Sequence, residues 1–382
     1  MTAADLEERL LQFTRKKLAG DFTGSVTSDT LLFEARVLDS LRILELIAFL
    51  EAQLGRPIPD AQVVLANFRS IRAMSSVFGT GGEPAVAPPR RGRLKAERIF
   101  QNSTSGKSYH RGAIEELLRR GEMEIVALGE IRLHDAALSL SRYFDDTIRG
   151  WAAELGAVDA EYPEAIELET LDRAGFLAAF PQKLVLHRGT GGALAPAVCY
   201  HAYPGLHARS VDEAGTLITS VGRCFREEQD ADNPLERLRA FTMREVIVAG
   251  GEAAVERLRD TMIARVSAWV KTLGLDGYIE TATDPFFTTE TRGRKLMQQA
   301  RPLKYELRLG IAAGRTVAAA SFNNHEKHFG RAFDIRTGNG ETAFTGCVAF
   351  GWERWVLAFI SQHGADEAGW PDAVRTGHES VA

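Results

Sequence analysis

The sequence predicts an all-α N-terminal bundle followed by a larger α+β domain built on an antiparallel sheet. Three observations carry this. Residues 80–94, with Gly81-Gly82-Glu83-Pro84 and Pro88-Pro89-Arg90-Arg91-Gly92, combine Gly, Pro and charge without apolar periodicity and read as a flexible linker. Residues 1–79, ahead of it, place their apolar side chains at helical spacing. Residues 95–382, behind it, alternate amphipathic helices with short runs rich in β-branched residues.

In the first piece, Leu6, Leu10, Leu11 and Phe13 mark a helix ending near Gly20, and a long loop runs from Asp21 to Asp39. Leu41, Ile43, Leu44, Ile47, Leu50 and Leu54 form the stripe of a second helix, stopped by Gly55 and Pro57. A short helix is expected near Ala61–Ala66 and a last one near Ile71–Val77. In the second piece, helices are expected at Asp135–Leu155, Ala253–Leu273 and Gly351–Gln362. Strands are expected at Lys183–His187, Leu217–Phe225, Phe241–Val248, Thr316–Phe322 and Thr345–Phe350.

Composition bounds the function. The 382 residues hold 46 Lys and Arg against 51 Asp and Glu, a net charge of −5, so the chain lacks the basic surplus of a dedicated nucleic-acid binder. Three cysteines are too few for a disulfide framework and point to a reducing, cytoplasmic setting. No apolar stretch is long enough for a membrane span.

Asp39-Ser40-Leu41 stands where the long loop meets the second helix, and as residues alone the pair reads as an N-cap. Its surroundings are Asp29-Thr-Leu-Leu-Phe-Glu34, Leu44-Glu-Leu-Ile-Ala-Phe-Leu-Glu51, Ile58-Pro-Asp60 and Asn67-Phe-Arg-Ser-Ile71. Together they resemble an acyl carrier protein, which implies a four-helix carrier bundle with Ser40 bearing 4′-phosphopantetheine, attached by a phosphopantetheinyl transferase.

Val221-Gly-Arg-Cys-Phe-Arg-Glu-Glu228 and Leu235-Glu-Arg-Leu-Arg-Ala-Phe-Thr-Met-Arg-Glu245, joined by a turn at Asp230–Pro234, could form an ordinary charged hairpin. The order Phe-Arg-x-Glu, then Arg237 and Phe241, also resembles motif 2 of class II aminoacyl-tRNA synthetases. That likeness implies an ATP site in which Arg226 holds the α-phosphate, Glu228 reads adenine, Phe241 stacks on it and Arg237 lines the loop. Gly346-Cys-Val-Ala-Phe-Gly-Trp-Glu-Arg354 is similar to motif 3, which places Arg354 against adenine and the γ-phosphate. Asp146–Pro163 fits motif 1, the homodimer element. Lys304 and Glu306 are candidates for phosphate and for substrate or Mg2+ contacts, with Ala319-Ala-Ser321 as the floor of the ATP site.

Cys199, Cys224 and Cys347 are each readable as small packing residues, and spacing alone does not exclude Cys224 as a ligand. The larger piece resembles the amino acid:[carrier protein] ligases, relatives of the atypical archaeal seryl-tRNA synthetases. This implies Zn2+ held by Cys199, Glu245 and Cys347, with the substrate amine at the open position beside Glu245 and Cys224 left to packing. His325 and His328 lack the spacing of a zinc-protease motif and read as pocket or loop residues. The implied activity is ATP-dependent adenylation of a small amino acid, glycine or alanine, followed by transfer to the phosphopantetheine thiol of a carrier, its own N-terminal domain or a separate one. Neither tRNA nor a membrane is an expected partner. The alternatives are an aminoacyl-tRNA synthetase, which would need a tRNA-binding element, and a non-catalytic sensor or scaffold.

Overall fold

A computed structural model describes residues 2–19, 24–35, 37–38, 42–59, 62–79, 97–103, 109–110, 112–189, 191–227, 235–282 and 302–379. Ser40 and Asp39, the linker, Glu228 and the turn at Asp230–Pro234 lie outside these residues. The chain divides into two compact units, one holding the helices of Met1–Ala96, the other comprising Glu97–Ala282 and Lys304–Ala382.

In the first unit, α1 spans Ala3–Phe13, and Thr2 caps it by accepting from the Asp5 amide at 3.2 Å. A π-helical turn, Thr14–Leu18, continues α1. Next come α2 (Arg42–Leu54), the single turn α3 (Leu65–Phe68) and α4 (Ile71–Phe78), whose cap Ser70 accepts from the Ala73 amide. Gly55 ends α2 in the left-handed region (φ +64°), where only glycine fits without strain. Leu6, Leu10, Phe33, Ile43, Leu46, Leu50, Phe68, Ile71 and Met74 close on one another as its core. The short helix begins at Leu65, later than expected near Ala61–Ala66: Val64 is extended (φ −128°, ψ 150°) and Val63 turns into the core.

The second unit is organised by an eight-stranded sheet. Its strands are β1 (Arg98–Asn102), β2 (Val158–Asp159), β3 (Thr216–Phe225), β4 (Ala240–Gly250), β5 (Gly277–Thr281), β6 (Lys304–Ala312), β7 (Arg315–Asn324) and β8 (Phe344–Gly351). Their spatial order is β1-β5-β6-β7-β8-β4-β3-β2, and every pairing is antiparallel except β2 with β3. This is the expected α+β class.

One face of the sheet is apolar. Val246 and Val248 of β4, Val348 and Phe350 of β8, Ala320 and Phe322 of β7 and Leu307 and Leu309 of β6 share it, as period-two alternation requires. They pack in one core with α5 (Asp135–Glu154), α6 (Glu252–Thr272) and α7 (Trp352–His363). Behind β4, buried Arg244 pairs with Asp145 of α5 at 2.6 Å, and the Trp352 indole donates to the same carboxylate at 2.8 Å. No helix among the described residues is long and apolar enough to cross a membrane.

Two expectations are corrected. Lys183–His187 is mostly not a strand: Pro181, with φ preset by its ring, starts a 3-10 turn through Lys183, and only Leu186–His187 joins a small sheet. The segment Asp146–Pro163 is divided, α5 ending at Glu154 and β2 pairing beyond it at the sheet edge.

Candidate functional site

The second sheet face carries the polar groups. Cross-strand register places Glu280, Glu306, Ser321, Ala349, Glu245 and Ser220 in one row across β5, β6, β7, β8, β4 and β3. The next row holds Lys304, Asn323, Cys347 and Ile247. Cys347 is therefore the diagonal neighbour of Glu245, close enough for their side chains to meet.

Cys199 approaches this pair from a one-turn helix, Cys199–Ala202. The thiols of Cys199 and Cys347 and a carboxylate oxygen of Glu245 all lie within 4.8 Å of one another, and all three residues are buried. The Val198 and Cys199 amides donate to Glu245 Oε1 at 2.9 and 3.2 Å, which ties the carboxylate to the segment that brings Cys199. Glu245 Oε2 is buried and has no hydrogen-bond partner among the described residues. Burial pushes the Cys347 thiol up to about 11, the Cys199 thiol well above its ordinary value and the Glu245 carboxyl upward as well. Each group is thus driven toward its neutral form unless a cation compensates. Two thiols and a carboxylate with one orphaned oxygen, converging on one point, fit a zinc-like divalent ion with three protein ligands. Cys224 is buried on the same face but is not part of the group.

Further along the face, Arg226 donates through Nε to the Pro196 carbonyl at 2.9 Å and lies 5.1 Å from the centre of the Phe241 ring. Strand register explains the pairing, since β3 and β4 run side by side to Phe225 and Ala240. Arg237 is exposed in the segment leading into β4. Arg354, on the first turn of α7, donates to the Glu236 carbonyl and the Ala318 carbonyl, each at 2.9 Å. Its aim is set by backbone on both sides.

Lys304 and Glu306 form an ion pair at 2.6 Å, and Arg308 approaches the other oxygen of Glu306 at 3.5 Å. Burial alone would raise the Glu306 pKa, but Lys304, Arg308 and Arg354 together hold it below the usual carboxylate range. Lys304 is thus engaged with Glu306. Ser321 faces this cluster, while Ala319 and Ala320 belong to the apolar core on the helix side.

The structure also brings in Asn323, which the sequence reading did not select, and gives the two histidines of the same run different places. Asn323 Nδ2 donates to Cys347 Sγ at 3.4 Å and to Ser321 Oγ at 3.0 Å, and its Oδ1 is buried with no hydrogen-bond partner among the described residues. His325 Nε2 lies 3.7 Å from Cys347 Sγ. His328 instead contacts the Ala174 carbonyl through Nε2 at 2.9 Å. The Asn323-Asn-His-Glu-Lys-His328 run drew notice for its histidines, but the approach to Cys347 depends on a register that only the folded sheet fixes.

Residues 208–363 match the tRNA synthetase class II core domain (G, H, P, S and T). Amino acid--[acyl-carrier-protein] ligase 1 of Bradyrhizobium diazoefficiens is 31% identical over 251 residues, covering 58% of this chain and 76% of that protein. A type-2 serine--tRNA ligase of Methanococcus aeolicus is 28% identical over 200 residues, 50% of this chain and 38% of its own length. Among solved structures, that of the M. kandleri SerRS in complex with A. aeolicus tRNASec superposes with a TM-score of 0.65 at 21% identity, over 74% of this chain and 63% of that one, a likeness of fold.

Proposed function

The chain belongs to the amino acid--[acyl-carrier-protein] ligases and is a ligase, and from that premise we propose that it activates a small amino acid with ATP and passes it to a carrier-bound thiol. The buried Cys199–Glu245–Cys347 group is the observation that carries the reading, because it gives the substrate amine a place to be selected. In this reading the three residues hold Zn2+, which when bound supplies a Lewis-acid position for an amine and rejects acids that lack one. Arg226 orients the α-phosphate, and Phe241, already beside its guanidinium, stacks on adenine; Glu228 and Arg237 complete the nucleotide contacts. Arg354 offsets the negative charge that grows on the phosphates; Glu306 would be the candidate to hold Mg2+, which when bound would supply further neutralisation of that charge.

The chemistry then needs no nucleophile from the enzyme. The amino acid carboxylate attacks the α-phosphorus and pyrophosphate leaves, giving an aminoacyl-adenylate. A phosphopantetheine thiol attacks the carbonyl carbon, the carbon–oxygen bond to AMP breaks, and the thiol proton goes to solvent. Glycine or alanine is the favoured substrate.

We further propose that residues 1–79 are a carrier domain with Ser40 as its attachment site, loaded by the same chain or by its partner in a homodimer. A flexible tether of ~14 residues would span roughly 20 Å r.m.s. and correspond to a millimolar effective concentration, and the Gly- and Pro-rich composition of residues 80–94 supports giving them that part.

ATP–pyrophosphate exchange with each amino acid, combined with intact mass after phosphopantetheinyl transferase treatment, tests both parts. Exchange with one small amino acid and an aminoacyl mass gain on the holo-protein is the expected result. Ser40→Ala should still exchange but gain no mass. Charging of tRNA without any thioester would overturn the carrier reading.

A further inference from the structure

The turn after β7 is built to aim one side chain at the metal group. Glu326 sits in the left-handed region (φ +50°), which residues other than glycine seldom adopt, and Asn324 Oδ1 accepts from its amide at 2.8 Å. The His325 amide donates to the Thr345 carbonyl at 2.8 Å, and the Thr345 amide donates to the Glu326 carbonyl at 2.9 Å, so the turn is clamped to β8 two residues before Cys347. The His325 ring is buried. Its Nδ1 lies 3.2 Å from the Tyr203 hydroxyl, whose single proton serves either Nδ1 or the Gly346 carbonyl at 3.0 Å; when it serves Nδ1, the ring hydrogen stands on Nε2, as a donor to sulfur requires. Phe329 stands edge-on to the ring at 5.0 Å. With Nδ1 and the ring plane fixed in this way, Nε2 faces Cys347 Sγ at 3.7 Å, on the same sulfur that receives Asn323 Nδ2.

We propose that His325, anchored by Tyr203, is a positioning residue for Cys347: it fixes the sulfur where Cys199 and Glu245 can share a metal ion with it. The inference rests on the metal reading of those three residues. His325 is not among the residues whose donor atoms converge, so it acts through Cys347 and not as a fourth ligand. Outer partners of this kind orient a ligand and tune its donor strength, and their loss typically costs 10–100-fold in metal affinity. His328, in the same turn, serves as an internal control, because its contact is with the Ala174 carbonyl.

The test uses full-length protein stripped of metal and reloaded with Zn2+ or Co2+. Three quantities are measured: the zinc dissociation constant by competition with a chelator, the thiolate-to-cobalt absorption band, and the thermal midpoint of the metal-free protein. Tyr203→Phe and His325→Leu should each weaken zinc binding 10–100-fold and shift the cobalt band. Tyr203→Phe, which removes one buried hydroxyl and its two contacts, should lower the metal-free midpoint by only a few degrees and keep the fold, and it decides the matter if His325→Leu does not fold. His328→Gln should bind zinc as the parent does. Unchanged zinc affinity and cobalt spectrum in Tyr203→Phe and His325→Leu, with a normal band in the parent, would overturn the role of His325 alone. No thiolate band in the parent, or one that persists undiminished when both Cys199 and Cys347 are replaced by serine, would overturn the metal reading and the inference with it.

Discussion

Two polar clusters share the open face of the sheet, and they are built on opposite principles. Around Cys199, Glu245 and Cys347 every ionisable group is driven toward neutrality by burial, and one carboxylate oxygen has no partner among the described residues. Around Glu306, a few residues away on the same face, the acid is matched by Lys304, Arg308 and Arg354 and is held ionised. The first cluster is incomplete in electrostatic terms and invites a cation from outside. The second is balanced within itself, so its charges are already arranged when a polyanion arrives and need no reorganisation. Under the proposed function, the contrast would separate two tasks on one surface, selecting a substrate by its amine and handling phosphate charge.

Removing a ligand should have the largest effect and should break the contrast outright. Cys347→Ala is expected to lose bound metal and amino-acid-dependent pyrophosphate exchange together, by more than about 100-fold, since it deletes a ligand rather than a support. Metal analysis of the purified variant beside the exchange rate checks this, and full activity would show that the three residues are not a functional metal group.

Arg354→Ala should come next and should separate the clusters. A charged donor facing developing charge is worth about 10²–10³ in rate, so exchange should fall by that factor while metal content stays at the parent level. Arg354→Lys should recover little, because the guanidinium is held by two backbone carbonyls whose geometry a single ammonium does not reproduce. Loss of metal in Arg354→Ala would show that the two clusters are coupled rather than independent.

The apolar side of this sheet was far more legible in the sequence than the polar side. β3, β4, β7 and β8 announced themselves as β-branched and aromatic runs, and α5, α6 and α7 by their stripes, because burial is written into each segment locally. β6 went unassigned although Lys304, Glu306 and Arg308 alternate with Tyr305, Leu307 and Leu309, a half-buried pattern in which charged residues masked the period of two. The three convergent residues were chosen by family likeness, since separations in sequence carry no information about register and left Cys224 equally eligible. Asn323 and Tyr203 carry no signal in the sequence, and His325, read there as a pocket or loop residue, could not be tied to Cys347. Their meeting with Cys347 depends on the pairing of β7 with β8 and on one strained turn.

The smallest expected effect is on pH-dependent stability, where the two carboxylates on one face should have opposite signs. Glu306 has a folded pKa below its unfolded value near 4.5, so its contribution is present above that value and is lost as pH falls through the folded pKa. Glu306→Gln should therefore lower the thermal midpoint at neutral pH and flatten the acid side of its pH profile. Glu245 has a folded pKa raised by burial, so in metal-free protein its contribution is full below the unfolded value and is lost as pH rises through the folded pKa. Glu245→Gln keeps an acceptor for the Val198 and Cys199 amides and avoids that loss, so the metal-free variant should gain in midpoint relative to its parent as pH rises toward neutrality. Zinc should reverse the order, stabilising the parent by its occupancy and the variant hardly at all. Parallel profiles for the two variants would mean that the clusters do not differ in the way their burial and charge imply.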